Sequence, residues 1–259
     1  MTEPILVEQD GPVTTLRINR PERRNALDRD ALLVLDQCLR EASDRDATRV
    51  VVLAGDATAF STGADLNEYV GYDAPAVRRS NLETWMRVFD TIEALDEPVI
   101  ASVAGYAIAG GTELTLCCDM VVAARGARFG LTEARVGVIP GAGATVRLPR
   151  WVGRAAAKEI LMLGDLIDAK EAHRLGLVNR VVDDTELAEA TRELAARLAT
   201  RSPSALAAAK RCVNVGADLP LAAGMAYALG EFALLFDGHD QREGMQAFLD
   251  KRPPEFTGA

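Results

Sequence analysis

Two glutamates and two glycine-containing turns carry the residue types from which this chain could build a reaction centre. The first turn reads Phe60-Ser-Thr-Gly-Ala-Asp65-Leu66 and the second Gly105-Tyr-Ala-Ile-Ala-Gly110-Gly111-Thr-Glu113. Small residues at such positions leave backbone N–H groups uncovered, and two N–H groups from separate turns can converge on one oxygen, forming an oxyanion hole. The second turn also opens a helix, whose N-terminal partial positive charge favours a developing anion. Glu113 lies in the first turn of that helix, and Glu133 in Phe129-Gly-Leu-Thr-Glu133, just before the turn Gly137-Val-Ile-Pro-Gly141. Taken singly, each reads as an ordinary first-turn glutamate. Glu113, however, is the sole acid between Gly105 and Cys118, so a fold that buries this apolar helix must desolvate a carboxylate. A carboxylate buried without a permanent cation points to use.

Other chemistries fail on inspection. Gly105 to Gly110 has the glycine spacing of a phosphate-binding Walker loop, but Gly111 stands where its lysine must be. Gly141-Ala-Gly143 begins like a dinucleotide fingerprint and then offers Val146 in place of the third glycine. The only histidines, His173 and His239, lie beside no nucleophile, and no GxSxG elbow is present, which argues against a Ser-His triad. Two histidines without clustered cysteines make no catalytic zinc site, and no metal is expected. Cys38, Cys117, Cys118 and Cys212 have no CxxC spacing and read as reduced thiols.

The elements that must position the glutamates follow from hydrophobic periodicity. Ile5 to Ile18 forms two apolar stretches around Asp10-Gly11-Pro12, a hairpin signal. Asp28 is a candidate N-cap for a helix in which Leu32, Leu35, Leu39 and Ala42 recur at helical spacing. The run Val50 to Leu53 then suits a strand buried on both faces. A polar stretch from Asn67 to about Ser80 follows, then a helix through Trp85, Phe89 and Ile92, Pro98, and a second buried-strand run, Val99 to Val103. The glycine-rich turn from Gly105 to Gly111 leads into a helix over 112–118 and a strand over 120–123, with helical segments near 154–162 and 168–174. Strands and helices alternate, the mark of an α/β fold. After about residue 185 only helices are expected, with Pro203 and Pro220 each suited to a first helical turn. Leu219 to Phe236 is apolar around much of its circumference, which calls for burial against a partner subunit or against the chain's own core.

The 259 residues carry a formal charge of -9, which disfavours nucleic-acid and anionic-membrane partners because both need a dense basic surface. No apolar stretch approaches the roughly 20 residues of a membrane span, and no secretory leader is visible, so a soluble cytoplasmic protein is expected.

Asn19-Arg-Pro21 through Asn25-Ala26-Leu27, Phe60 to Leu66, Gly105 to Glu113, Phe129 to Gly143, and Glu243-Gly-Met-Gln-Ala-Phe248 with Lys251-Arg-Pro-Pro together resemble the successive signatures of the enoyl-CoA hydratase/isomerase (crotonase) family. Each motif is weak alone, but five in order across nearly the whole chain are specific. The resemblance implies a crotonase-like spiral of β-β-α repeats over residues 1–190 and a C-terminal helical region over 191–259 that assembles trimers or dimers of trimers. It implies syn addition of water across a trans-2-enoyl-CoA to give 3-hydroxyacyl-CoA. The backbone N–H groups of Ala64 and Gly110 would polarise the thioester carbonyl, and Glu113 and Glu133 would hold the water. Which glutamate is acid and which is base stays open. The resemblance places coenzyme A near Arg24, Ala26, Ala64, Asp65, Leu66, Asn67, Gly110 and Gly141, with Lys251 approaching its phosphates from a neighbouring subunit. No cofactor is required beyond the coenzyme A of the substrate.

The departures from the family pattern are Glu22 and Asn67 where basic residues are common, Ala104 and Ala109 in the second turn where an asparagine and a glycine are common, and Ala144 and Val146 beyond Gly143. They bear on the phosphate contacts and the acyl pocket and leave the catalytic groups in place. The competing readings are a double-bond isomerase or acyl-CoA hydrolase of the same fold, and a non-enzymatic CoA-binding subunit.

Overall fold

The computed structural model describes residues 3–259. Its chain opens as the antiparallel hairpin β1 (Ile5–Asp10) and β2 (Val13–Ile18). Asp28 caps α1 (Arg29–Ser43), its carboxylate accepting the Ala31 N–H at 3.0 Å. Leu32, Leu35, Leu39 and Ala42 turn inward as their spacing requires.

Three β-β-α cycles follow. The first is β3 (Val50–Ala54), β4 (Ala59–Ser61), α2 (Leu66–Tyr69), α3 (Ala74–Glu83) and α4 (Trp85–Ala94). The second is β5 (Val99–Val103), β6 (Tyr106–Ile108) and α5 (Gly110–Cys117), and the third is β7 (Met120–Ala124), β8 (Arg128–Gly130) and α6 (Ala144–Leu163), which bends at Gly153. The polar stretch after Asn67 is thus largely helical, because Asp65 and Asp73 supply the caps of α2 and α3. The glycine-rich turn contains a strand of its own, β6.

Each cycle gives its first strand to one sheet and its second to another. The larger sheet has the order β1-β2-β3-β5-β7-β10, and the smaller β4-β6-β8-β9, where β9 is Ile167–Asp168, α7 is Ala169–Arg174 and β10 is Arg180–Val182. Strands β2, β3, β5, β7 and β10 are parallel neighbours, and so are β4, β6 and β8. Val51 and Leu53 of β3 face one core and Val50 and Val52 the other, which explains why the strand is apolar without alternation.

Four helices close the chain: α8 (Leu187–Ala199), α9 (Pro203–Gly216), α10 (Leu221–Leu234) and α11 (His239–Asp250). Leu187, Leu194 and Ala195 of α8 cover the outer face of the larger sheet, so the 190/191 boundary falls inside a helix that belongs to the core. Helix α9 is held by Lys210, whose buried ammonium donates to the Ile92 carbonyl at 2.9 Å and pairs with Asp119 at 2.9 Å. Pro203 occupies the first turn of α9, whereas Pro220 sits one residue before the first turn of α10. None of the residues of α10 is buried: Leu221 is 80%, Leu229 66% and Phe232 56% exposed. Burial of α10 in the chain's own core is therefore excluded. Among the described residues no single helix is long and apolar enough to cross a membrane; α10 and α11 approach that composition only as a pair bent by 76°.

Candidate active site

The smaller sheet brings the separated motifs together. Because β4, β6 and β8 are parallel neighbours, their C-terminal ends share one edge, about 4.8 Å apart from strand to strand. Ala64 lies three residues beyond β4, Gly110 two beyond β6 and Glu133 three beyond β8, so all three emerge at that edge. They border one cavity of about 870 Å³, together with Glu113.

A parallel bridge fixes the first turn. The Leu27 N–H donates to the Gly63 carbonyl at 2.8 Å and the Asp65 N–H to the Leu27 carbonyl at 3.0 Å, which leaves the Ala64 N–H pointing away from Leu27. Gly63 has φ 87°, and a Cβ there would lie 2.7 Å from the Gly110 nitrogen, so only glycine permits the two turns to approach this closely. Gly110 needs its missing side chain for a different reason: a Cβ would lie 2.6 Å from the Trp85 ring. Neither the Ala64 nor the Gly110 N–H takes part in a hydrogen bond among the described residues.

Ala109 aims the second turn. Its backbone, at φ 52° and ψ -123°, is a conformation natural to glycine, and holding alanine there costs about 1–3 kcal/mol. The turn is pinned by its N–H to the Gly130 carbonyl at 2.8 Å and by its carbonyl, which accepts the Glu113 N–H at 3.0 Å. Helix α5 is buried throughout, so the Glu113 carboxylate is withdrawn from water as its sequence context requires.

The two glutamates occupy unlike environments. Glu113 Oε1 accepts the N–H groups of Ala144 at 2.9 Å and Ala142 at 3.2 Å. Ala144 begins α6, so this carboxylate caps a second helix and benefits from its dipole. Burial pushes the Glu113 pKa up, opposed by these two amides and by the Arg147 guanidinium. Glu133 Oε2 is buried with no hydrogen-bond partner. Burial pushes the Glu133 pKa up to about 7, opposed by its own backbone N–H and aided by a smaller contribution from the Glu113 charge.

The remaining residues named from sequence divide. Ala26, Asp65, Leu66, Asn67 and Gly141 border the cavity. Arg24 does not; it takes a left-handed turn (φ 51°), and its neighbour Arg23 reaches the cavity instead, paired with Asp65. Lys251 ends α11 and does not border the cavity of its own chain. Sequence reasoning missed the apolar walls formed by Tyr69, Trp85, Val138 and Ile139. Trp85 carried only a core-helix signal, and the Tyr69 hydroxyl, which donates to Asn81 Oδ1 at 2.9 Å, carried none. The amides of Ala142 and Ala144 were foreshadowed by the small residues between Gly141 and Ala144, which leave a helix start uncovered.

The model of the enoyl-CoA hydratase/isomerase family matches residues 8–259. The chain belongs to this family. Within it, the chain is 38% identical to a crotonyl-CoA hydratase of Syntrophomonas wolfei and 40% identical to a 2,3-dehydroadipyl-CoA hydratase of Escherichia coli, in each case over 98% of both chains. Among solved structures of the family, an enoyl-CoA hydratase from Bacillus anthracis superposes with a TM-score of 0.94 at 37% identity, covering 99% of this chain and 100% of the other. The α/β family fold with its C-terminal helices is the one expected from the five motifs.

Proposed function

We propose that the chain is an enoyl-CoA hydratase, a hydro-lyase that adds water across trans-2-enoyl-CoA to give 3-hydroxyacyl-CoA. One observation carries the reading: a carboxylate held by two amides and a second carboxyl whose Oε2 has no partner face one cavity beside two free backbone N–H groups. The thioester oxygen accepts from Ala64 and Gly110, which makes C3 electrophilic and stabilises the enolate-like charge. Losing one such donor costs about 3 kcal/mol of barrier.

The unlike environments of the two glutamates support one assignment of the roles that sequence left open. Glu113, with its charge stabilised by two N–H groups, takes the proton of the attacking water. Glu133, whose Oε2 has no donor, holds the proton that goes to C2. The two acids exchange one proton in each turnover, and the cycle needs no cofactor apart from the substrate's own coenzyme A. The enoyl chain lies along Tyr69, Trp85, Val138 and Ile139, and the coenzyme leaves past Ala26, Leu66 and Arg23.

Purified protein mixed with crotonyl-CoA should bleach the conjugated thioester absorbance and form 3-hydroxybutyryl-CoA without releasing free thiol. Thiol release would instead indicate a hydrolase, and a shifted double bond without hydration an isomerase. The family relatives named above are hydratases, and both glutamates are present here, which favours hydration over either alternative and over an inactive binding subunit.

The exposed apolar α10 supports assembly into trimers or dimers of trimers, since an apolar face of this extent is costly in water. Sedimentation velocity should return the mass of three or six chains, and a stable monomer would refute the assembly. A soluble cytoplasmic protein remains the reading.

A further inference from the structure

We propose that Arg147 is a positioning residue for Glu113, acting through the peptide between Ala142 and Gly143. This rests on the hydratase reading and assigns a task to an ion pair that the mechanism above does not use.

Arg147 lies in the first turns of α6 and is fixed on three sides. Its Nε and Nη2 donate to the two carboxylate oxygens of Glu93 at 2.7 and 2.8 Å, its guanidinium lies 5.7 Å from the centre of the Phe89 ring, and its Nη1 donates to the Ala142 carbonyl at 3.2 Å. A bidentate pair of this kind sets orientation as well as distance. Its side chain is 23% exposed.

The contact with Ala142 is the informative one. Three successive peptides run from Gly141 to Ala144. The first and third present their N–H groups, those of Ala142 and Ala144, to Glu113 Oε1, while the carbonyl of the middle one points to Arg147. Holding that carbonyl fixes the plane of the middle peptide, and with it the directions of the N–H groups on both sides. Gly143 allows the approach: at φ 122° its missing Cβ would lie 2.1 Å from Arg147 Nη1, so the guanidinium occupies the space a side chain would need. Glu93 sits on α4, which also carries Trp85 against Gly110, so one helix braces both the carboxylate and the oxyanion turn.

Besides Arg147, the titratable groups facing Glu113 are Glu133 from the loop after β8, Tyr69 from α2 and Cys117 from α5 itself. Burial pushes the Tyr69 hydroxyl up to about 12 and the Cys117 thiol well up, so both stay neutral in the working range. Among the described residues Arg147 is the one cation acting on Glu113, and Glu93 offsets much of its charge.

That offset gives a test with two opposite signs. Arg147→Met removes the brace and the cation, so Glu113 protonates more readily and the acidic limb of kcat/KM moves to higher pH. Glu93→Gln leaves the arginine with its charge uncompensated, so Glu113 stays ionised further into acid and the limb moves to lower pH. Arg147→Met should also lower kcat by about 100-fold through misplacement of the carboxylate, with little change in KM. Arg147→Lys, which keeps a charge but not the fork, should restore the limb more than it restores kcat. Limbs that move the same way in Arg147→Met and Glu93→Gln, or a kcat unchanged in Arg147→Met, would overturn the proposal. Should Arg147→Met not fold, Glu93→Gln and Arg147→Lys still decide it, the first by the direction of its limb and the second by an undiminished kcat.

Carboxyl carbon NMR of the free protein, with the Glu113 resonance assigned by its loss in Glu113→Gln, follows the same opposite shifts without turnover. A protein that shows them yet hydrates no enoyl-CoA would keep Arg147 in this role and sink the hydratase reading instead.

Discussion

Glu133→Gln and Glu113→Gln should each leave coenzyme-A binding intact and lower crotonyl-CoA hydration by about 100- to 10,000-fold, the range lost with a general acid or base. Each substitution keeps shape and removes one proton-transfer function. Gln at 113 still offers an oxygen to the Ala142 and Ala144 N–H groups, so its loss of rate reports the missing base and not a collapsed turn. Full activity in either variant would refute the two-carboxylate mechanism. The wild-type rate should follow a bell in pH, because the pair works while holding one proton between its members. The basic limb of kcat/KM reports ionisation of Glu133, whose pKa burial pushes up to about 7. The same displacement carries a stability cost of known sign. Folded Glu133 keeps its proton up to about 7, whereas the unfolded chain releases it near the ordinary glutamate value of 4.5, so stability falls as pH rises through that window. Glu133→Gln has no proton to lose. It should melt higher than wild type at pH 8 and close to wild type at pH 4, a loss of function accompanied by a gain in stability.

Gly110→Ala should lower kcat by about 100- to 1,000-fold, the loss typical of one oxyanion donor. The added methyl would meet the Trp85 ring at 2.6 Å, and a buried indole carried by α4 cannot retreat, so the turn must move and carry the Gly110 N–H with it. Pairing the substitution with Trp85→Phe removes the ring atoms that clash. The double variant should recover part of the lost rate, and this coupling separates a displaced donor from general damage. A Gly110→Ala enzyme with wild-type kcat would show that this amide does not face the reacting carbonyl. Gly63 tolerates substitution no better, since its Cβ would press on the same nitrogen from the other turn.

The residues themselves determined the order and kind of the elements around the site. Asp-Gly between apolar runs made the first hairpin, Asp28 made a cap, and runs such as Val50 to Leu53 could lie only between two packed layers. Spacing exposed the two small-residue turns, and the isolated acid in an apolar helix marked Glu113. The five ordered motifs named the family. In each case the signal is local, because periodicity, turn chemistry and a single misplaced charge are decided within a few residues.

What remained for tertiary structure was the physical basis of each relation between distant segments. Only the parallel order of β4, β6 and β8 brings Ala64, Gly110 and Glu133 to one edge, and strand order leaves no trace in the composition of a strand. The unlike environments of the glutamates come from the Ala142 and Ala144 N–H groups, which lie 29 and 31 residues from Glu113 along the chain. The substitution of Arg23 for Arg24 at the cavity follows from the left-handed turn at residues 24 and 25, and a helix as apolar as α10 declares that it must be covered without declaring by what. A carboxylate's chemistry is set by the donors and charges within a few ångströms, and here those neighbours arrive from elsewhere in the chain.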